Sequence, residues 1–145
     1  MSLKNTIDIQ IKESMLNKKK SRLLTLRAIK SAILIEEKSG NEKRINEIQL
    51  LMKLIKQRKD SMRLYLEQKR NDLAKKEKEE IEIIEEFLPS QLEDNELEKE
   101  ILKIIDYLGA GSIKDMGKVM GVATKKLSGQ ADNSRIAATI KNKLN

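Results

Sequence analysis

The residues best suited to chemistry in this chain are cations. Lys114, Lys118, Lys125, Lys126, Arg135, Lys141 and Lys143 lie in the stretch 109–145, which holds seven Lys/Arg against two Asp/Glu. Such a block can neutralise phosphates and release their counterions, giving an affinity that falls with salt. A secondary basic face is formed by Lys53, Lys56, Lys59, Arg63 and Arg70, in which Lys56, Arg63 and Arg70 recur every seven residues, as they would on one side of a long helix. Between the lysines of the first block, Gly117 and Gly121 stand four apart, and Gly129 follows in a turn. Small residues at that spacing admit another backbone, either a packing helix of the same chain or the backbone of a ligand. Each basic set also has a plainer reading, as a solvated helix face or one matched to an acidic neighbour. Residues 1–70 carry a net +10, residues 71–108 a net −8 and residues 109–145 a net +5.

Other chemistries are excluded by composition. With no cysteine and no histidine, thiol nucleophiles, Cys/His zinc sites, imidazole bases and disulfides all disappear. Glu77, Glu79, Glu80, Glu82, Glu85 and Glu86 form a dense carboxylate run, but bundle di-metal sites need a Glu-x-x-His motif, so these are read as Glu/Lys surface pairs. Gly117-x-x-x-Gly121 lacks the Gly-Lys-Ser/Thr ending of a phosphate loop. No catalytic residue, metal ligand or cofactor is therefore assigned. No apolar run approaches the roughly 18 residues of a membrane span, and Met1 to Asn17 contain no uninterrupted apolar stretch. A soluble, cytoplasmic protein without a membrane partner is expected.

The elements that position these residues are helices. Charged residues make up 37% of the chain and aromatics 2%, so the core must be Leu, Ile, Met and Ala, a composition that favours helices over sheets. The single proline, Pro89, divides an N-terminal helical domain (1–88) from a C-terminal three-helix bundle (89–145), with Leu88 and Leu92 pinning the joint. The first part reads as four helices. Leu3, Ile7, Ile11 and Met15 mark the first; Leu23, Leu26, Ile29 and Ile33 mark the second, which stops at Ser39-Gly40-Asn41. A third runs from about Glu42 to Arg70 on Ile45, Ile48, Met52, Ile55, Met62 and Leu66, with Lys59 interrupting the stripe. A fourth follows on Leu73, Ala74, Ile81, Ile84 and Leu88, so that two long antiparallel helices could offer a surface to a protein partner or a second copy. After Pro89, Leu97, Ile101 and Ile104 mark a fifth helix ended by Gly109-Ala110-Gly111. Ser112 to Asp115 form a capping box before a sixth on Met116, Val119, Met120, Ala123 and Leu127, and Ile136, Ile140 and Leu144 carry a seventh.

Taken together, several segments resemble the GatB/YqeY family. They are Leu26-Arg27-Ala28-Ile29-Lys30-Ser31-Ala32-Ile33, Ile55-Lys56-Gln57-Arg58-Lys59-Asp60-Ser61, Glu77–Glu86 leading into Phe87-Leu88-Pro89-Ser90-Gln91-Leu92, Asp115-Met116-Gly117-Lys118-Val119-Met120-Gly121, and Gly129-Gln130-Ala131-Asp132. The match is nearest to free-standing YqeY-like proteins. The resemblance implies an all-α protein whose C-terminal part is similar to the tail domain of the GatB component of the tRNA-dependent amidotransferase, which helps to grip tRNA. It implies tRNA or other structured RNA as partner. By inheritance it also implies a carbon-nitrogen ligase activity with glutamine as amido-N-donor, although nothing here resembles the glutaminase component of that enzyme or the large catalytic domain of GatB. Where the family often has Lys-Gly-Arg-Ala-Asp, this chain has Ser128-Gly129-Gln130-Ala131-Asp132, and the nearest cations are Lys125 and Lys126, one turn earlier. The expectation is a tRNA-associated accessory protein with no catalytic site of its own. Protein interaction or a part in an amidotransferase complex are the alternatives.

Overall fold

The computed structural model describes residues 2–39 and 46–144. All regular structure among them is helical: α1 (Leu3–Leu16), α2 (Lys20–Lys38), α3 (Glu47–Glu67), α4 (Asn71–Glu85), α5 (Asp94–Leu108), a 3-10 turn (Ile113–Asp115), α6 (Met116–Lys126) and α7 (Asn133–Leu144). No helix among these residues is long and apolar enough to cross a membrane. The chain separates into two compact units, Met1–Leu88 and Pro89–Asn145. Gly40, Asn41, Glu42 and Ile45, read above as a turn and the start of the third helix, lie outside the described residues.

In the first unit α1 pairs with α2 and α3 with α4, and α2 also touches α3 and α4. The core is aliphatic: Leu3 and Ile7 from α1, Leu26, Ile29 and Ile33 from α2, Leu50, Leu51 and Ile55 from α3, Ile81 and Ile84 from α4. Burying each such side chain fully contributes about 1.5–3 kcal/mol relative to leaving it in water. Two departures from the expected stripes follow from helix geometry. A spacing of four advances 400°, so the series Leu3, Ile7, Ile11, Met15 drifts around α1; Met15 ends 55% exposed and Ser14, seven residues after Ile7, is buried in its place. On α3 the inward positions are Leu51, Ile55 and Arg58, not Lys59, and Leu66 faces solvent.

The α3–α4 seam thus contains a polar layer. Arg58 Nε donates to Glu80 Oε2 at 2.8 Å, and its Nη1 donates to the Leu54 carbonyl at 3.1 Å. Glu77 sits half-buried on the same stretch of α4, and burial together with the Glu80 charge pushes its carboxyl above the ordinary carboxylate range, while Arg58 opposes the shift.

Both helix hairpins turn on a lysine. Lys18 (φ 55°) and Lys69 (φ 59°) occupy the left-handed region usually given to glycine. Each is followed by a backbone bond that closes the turn, Lys19 N–H to Ser14 at 3.0 Å and Arg70 N–H to Tyr65 at 2.8 Å. Because α3 stops at Glu67, Arg70 does not extend the Lys56–Arg63 face; it precedes α4 and bonds Asp72 through Nε at 3.2 Å and Nη2 at 3.1 Å.

The second unit surrounds Leu97, Ile101, Ile104, Val119, Ala123, Leu127, Ala131, Ile136, Ile140 and Leu144, drawn from α5, α6, α7 and the turn between the last two. Its ends are set by local chemistry. The side chain of Glu96 accepts from Glu93 N–H at 3.4 Å to start α5, and Gly109, at φ 65°, ends it with Ala110 N–H bonding back to Ile105. Asp115 Oδ2 accepts from Gly111 N–H at 2.9 Å and Ser112 N–H at 3.4 Å, so the expected capping box opens the 3-10 turn that leads into α6. Leu88 and Phe87 pack on the first core and Leu92 on the second, so the residues flanking Pro89 serve different cores.

Candidate nucleic-acid interface

α6 is built as a two-sided helix. Val119 and Ala123 are fully buried, and Leu127 follows them on the inward side. On the outward side are Gly117, Lys118, Gly121, Lys125 and Lys126, all exposed. A Cβ built on Gly117 or Gly121 would meet nothing within 4 Å, so none of the described residues of the second unit packs on these glycines. The backbone of α6 is bare there. Gly117, Lys118, Gly121, Val122, Lys125 and Lys126 line a shallow groove of about 620 Å³. Among the described residues, no carboxylate lies within ion-pair distance of Lys118, Lys125 or Lys126. Lys125 and Lys126 occupy the last turn of α6, where the helix dipole favours cations.

The remaining cations of the block are placed differently. Lys114 is exposed on the 3-10 turn and Lys141 is exposed on α7. Lys143 Nζ lies 3.8 Å from Glu98 Oε2. Arg135 is half-buried, its Nη2 donating to the Leu92 carbonyl and to Asp94 Oδ1, both at 2.9 Å. The structure therefore gathers Lys118, Lys125 and Lys126 with two glycines on one helix face and engages Arg135 and Lys143 in bonds within their own unit.

Gly129 has a separate role. It takes φ 79° in the turn after α6, is buried, and its carbonyl accepts from Gln91 Nε2 at 2.6 Å. Beside it Leu92 N–H donates to the Gln130 carbonyl at 2.8 Å. Asp132 Oδ1 caps α7 by accepting from Arg135 N–H at 2.8 Å. Sequence reasoning picked out Pro89-Ser90-Gln91-Leu92 and Gly129-Gln130-Ala131-Asp132 separately and missed that they meet. The available signal was a polar Gln91 between Pro89-Ser90 and the apolar Leu92, in a segment too short to be helical.

On the secondary face, Lys53, Lys56, Lys59 and Arg63 are exposed along α3, and Arg63 Nη2 lies 3.7 Å from Asp60 Oδ1 on the same helix. A second groove, of about 440 Å³, lies between the start of α2 and α4 and mixes both signs, with Lys19, Lys20 and Arg22 opposite Glu79, Glu82 and Glu86. Arg22 grips Glu86 through two bonds, at 2.7 and 3.2 Å. Among the described residues no group of three or more acidic side chains could hold a metal ion.

A family model described as Yqey-like protein matches residues 4–144. The chain is similar to the protein named "Altered inheritance of mitochondria protein 41, mitochondrial" from Clavispora lusitaniae, at 30% identity over 94% of this chain and 81% of that relative. The protein of the same name from Vanderwaltozyma polyspora is 31% identical over 92% of this chain and 77% of its own length. That from Saccharomyces cerevisiae strain YJM789 is 31% identical over 84% and 66%. These names overturn the cytoplasmic location expected from the sequence. That expectation rested on the absence of cysteine and of an uninterrupted apolar stretch in Met1 to Asn17, features that do not distinguish one reducing compartment from another.

Proposed function

The chain belongs to the YqeY-like protein family, and from that premise we propose that it is a tRNA-associated accessory protein that holds phosphate along α6 and makes no bonds itself. The observation that carries this reading is the lysine-flanked, glycine-bared face of α6. Lysine supplies mobile point charge for phosphate, and a helix without Cβ atoms lets a sugar-phosphate backbone come close. Base reading is expected to be slight, because stacking on aromatic rings is the usual means of holding unpaired RNA bases. Of the three aromatic side chains, Tyr107 alone is largely exposed, at 86%. The relatives' names support a mitochondrial setting, which fractionation of the native cell would test.

The direct test is the affinity of the intact chain for tRNA as a function of salt. Binding that weakens steeply with salt and exceeds that for a generic polyanion supports the proposal; no binding at low salt ends it. The amide transfer implied by inheritance is tested by adding the chain to a glutaminase and mischarged tRNA, where no amidated product is expected.

A second reading, a docking surface for a protein or a second copy along α3 and α4, would draw on an exposed leucine near the end of α3, either Leu64 at 54% or, on nearly the opposite side of the helix, Leu66 at 52%. A partner that stays bound after nuclease treatment, and is released by L64A or by L66A, would favour it.

A further inference from the structure

We infer that the extended segment Pro89–Leu92 is a strap that positions the basic end of α6, with Gln91 as its positioning residue. This rests on the reading of α6 as the phosphate-holding face.

Directly after Lys125 and Lys126 the chain turns through Leu127, Ser128 and Gly129, closed by Gln130 N–H donating to the Leu127 carbonyl at 2.9 Å. The carbonyls of Gly129 and Gln130 are both taken by the strap: Gln91 Nε2 donates to Gly129 at 2.6 Å, and Leu92 N–H donates to Gln130 at 2.8 Å. The strap is itself held in shape. The same Gln91 amide donates to the Pro89 carbonyl at 3.1 Å, and Arg135 Nη2 on α7 donates to the Leu92 carbonyl at 2.9 Å. Pro89 fixes its own φ, which limits how far the strap can reorient.

The three segments form one hydrogen-bonded unit in which each part depends on the next. Arg135 holds Leu92, Leu92 and Gln91 hold the turn, and the turn fixes where α6 ends. Gly129 is buried while Gln91 lies at the surface, so the glutamine amide works as a lid over a carbonyl that would otherwise lack a donor. Leu92 packs on the second core, which seats the strap from beneath. Without these contacts the last turn of α6 could fray, and Lys125 and Lys126 would sample a wider volume instead of standing at a fixed spacing from Lys118.

Gln91→Met tests this, because it keeps the length of the side chain and its neutral charge and removes the amide that donates to Pro89 and Gly129. In the intact protein, amide exchange at Lys126–Ala131 should rise roughly fivefold, the loss of about one hydrogen bond, while amides in the middle of α5 stay unchanged. Affinity for tRNA at low salt should fall by a similar factor with the salt slope retained, since no charge has been removed. Unchanged exchange overturns the strap. Raised exchange with unaltered tRNA affinity also overturns it, since the turn would then not serve the basic end. If the wild-type chain binds no tRNA, the reading of α6 fails and the inference falls with it; if it binds and only Gln91→Met is silent, the strap alone fails.

Discussion

Replacing Gly117 and Gly121 by alanine should make the protein more stable and a poorer RNA binder. Glycine inside a helix costs about 0.8–1.0 kcal/mol relative to alanine, and that figure applies in full to Gly121 near the middle of α6. Gly117 is the second residue of the helix, where fewer backbone bonds depend on it, so roughly half that gain is expected. A new methyl group meets nothing within 4 Å at either position, so no steric cost subtracts from the sum. The double variant should therefore gain about 1.2–1.5 kcal/mol, close to a tenfold slowing of exchange at core amides such as Val119 and Ile140. For a domain of this size it should raise the midpoint of thermal unfolding by about 5–10 °C. If the bare strip is where a ligand backbone lies, the same methyl groups hold that backbone away, and tRNA affinity should drop several-fold at low salt. Destabilisation would refute the view that nothing covers the glycines. Stabilisation with unaltered affinity would refute the view that a ligand uses them.

Other outcomes follow from the same geometry. Removing Lys118, Lys125 and Lys126 one at a time should lower the slope of log affinity against log salt by about 0.7–0.9 for each phosphate no longer neutralised, with no change in which sequences bind. Lys18→Gly and Lys69→Gly should each stabilise the first unit by about 0.5–1 kcal/mol in urea unfolding, since a left-handed lysine costs about 1–2 kcal/mol and glycine returns part of that as chain entropy. Arg58→Ala should cost about 1–2 kcal/mol by leaving Glu80 without its partner in a partly shielded seam, whereas Arg58→Met should cost less. Glu77→Gln should stabilise the protein at neutral pH. The folded state holds the Glu77 proton more tightly than the unfolded one, so the wild-type penalty vanishes as pH falls below the ordinary carboxylate range and returns as pH rises through the higher folded value. A benefit of Glu77→Gln that persists in acid would contradict this account.

The helices were legible because their signals are local. Gly109, the Ser112–Asp115 box and the inward series of α5, α6 and α7 follow from neighbours three or four residues away, and the structure places them as read. The first unit was less legible. Met15 was expected inside because a strict repeat of four looks amphipathic over three turns, yet it drifts off the face that Ser14 takes. Arg58 drew no reading of its own, because an arginine gives no local hint that a partner helix will supply Glu80. Lys118, Lys125 and Lys126 stand apart from the block of seven cations only in the structure. Arg135 could not be told from them, since its bonds reach Leu92 and Asp94, more than forty residues back, and only the closed bundle brings these together.

The opening residues of the second unit are stitched to the loop that precedes its final helix, so excision of that unit has a natural starting point. A gene fragment begun at the first helical residue, Asp94, would discard Leu92 from the hydrophobic interior along with two donors that no later residue replaces. Forfeiting that leucine alone costs up to about 1.5–3 kcal/mol, a sizeable share of what so small a fold can muster. A fragment begun at Pro89 keeps all three, and the five extra amino acids should decide whether the piece survives apart from the rest of the chain.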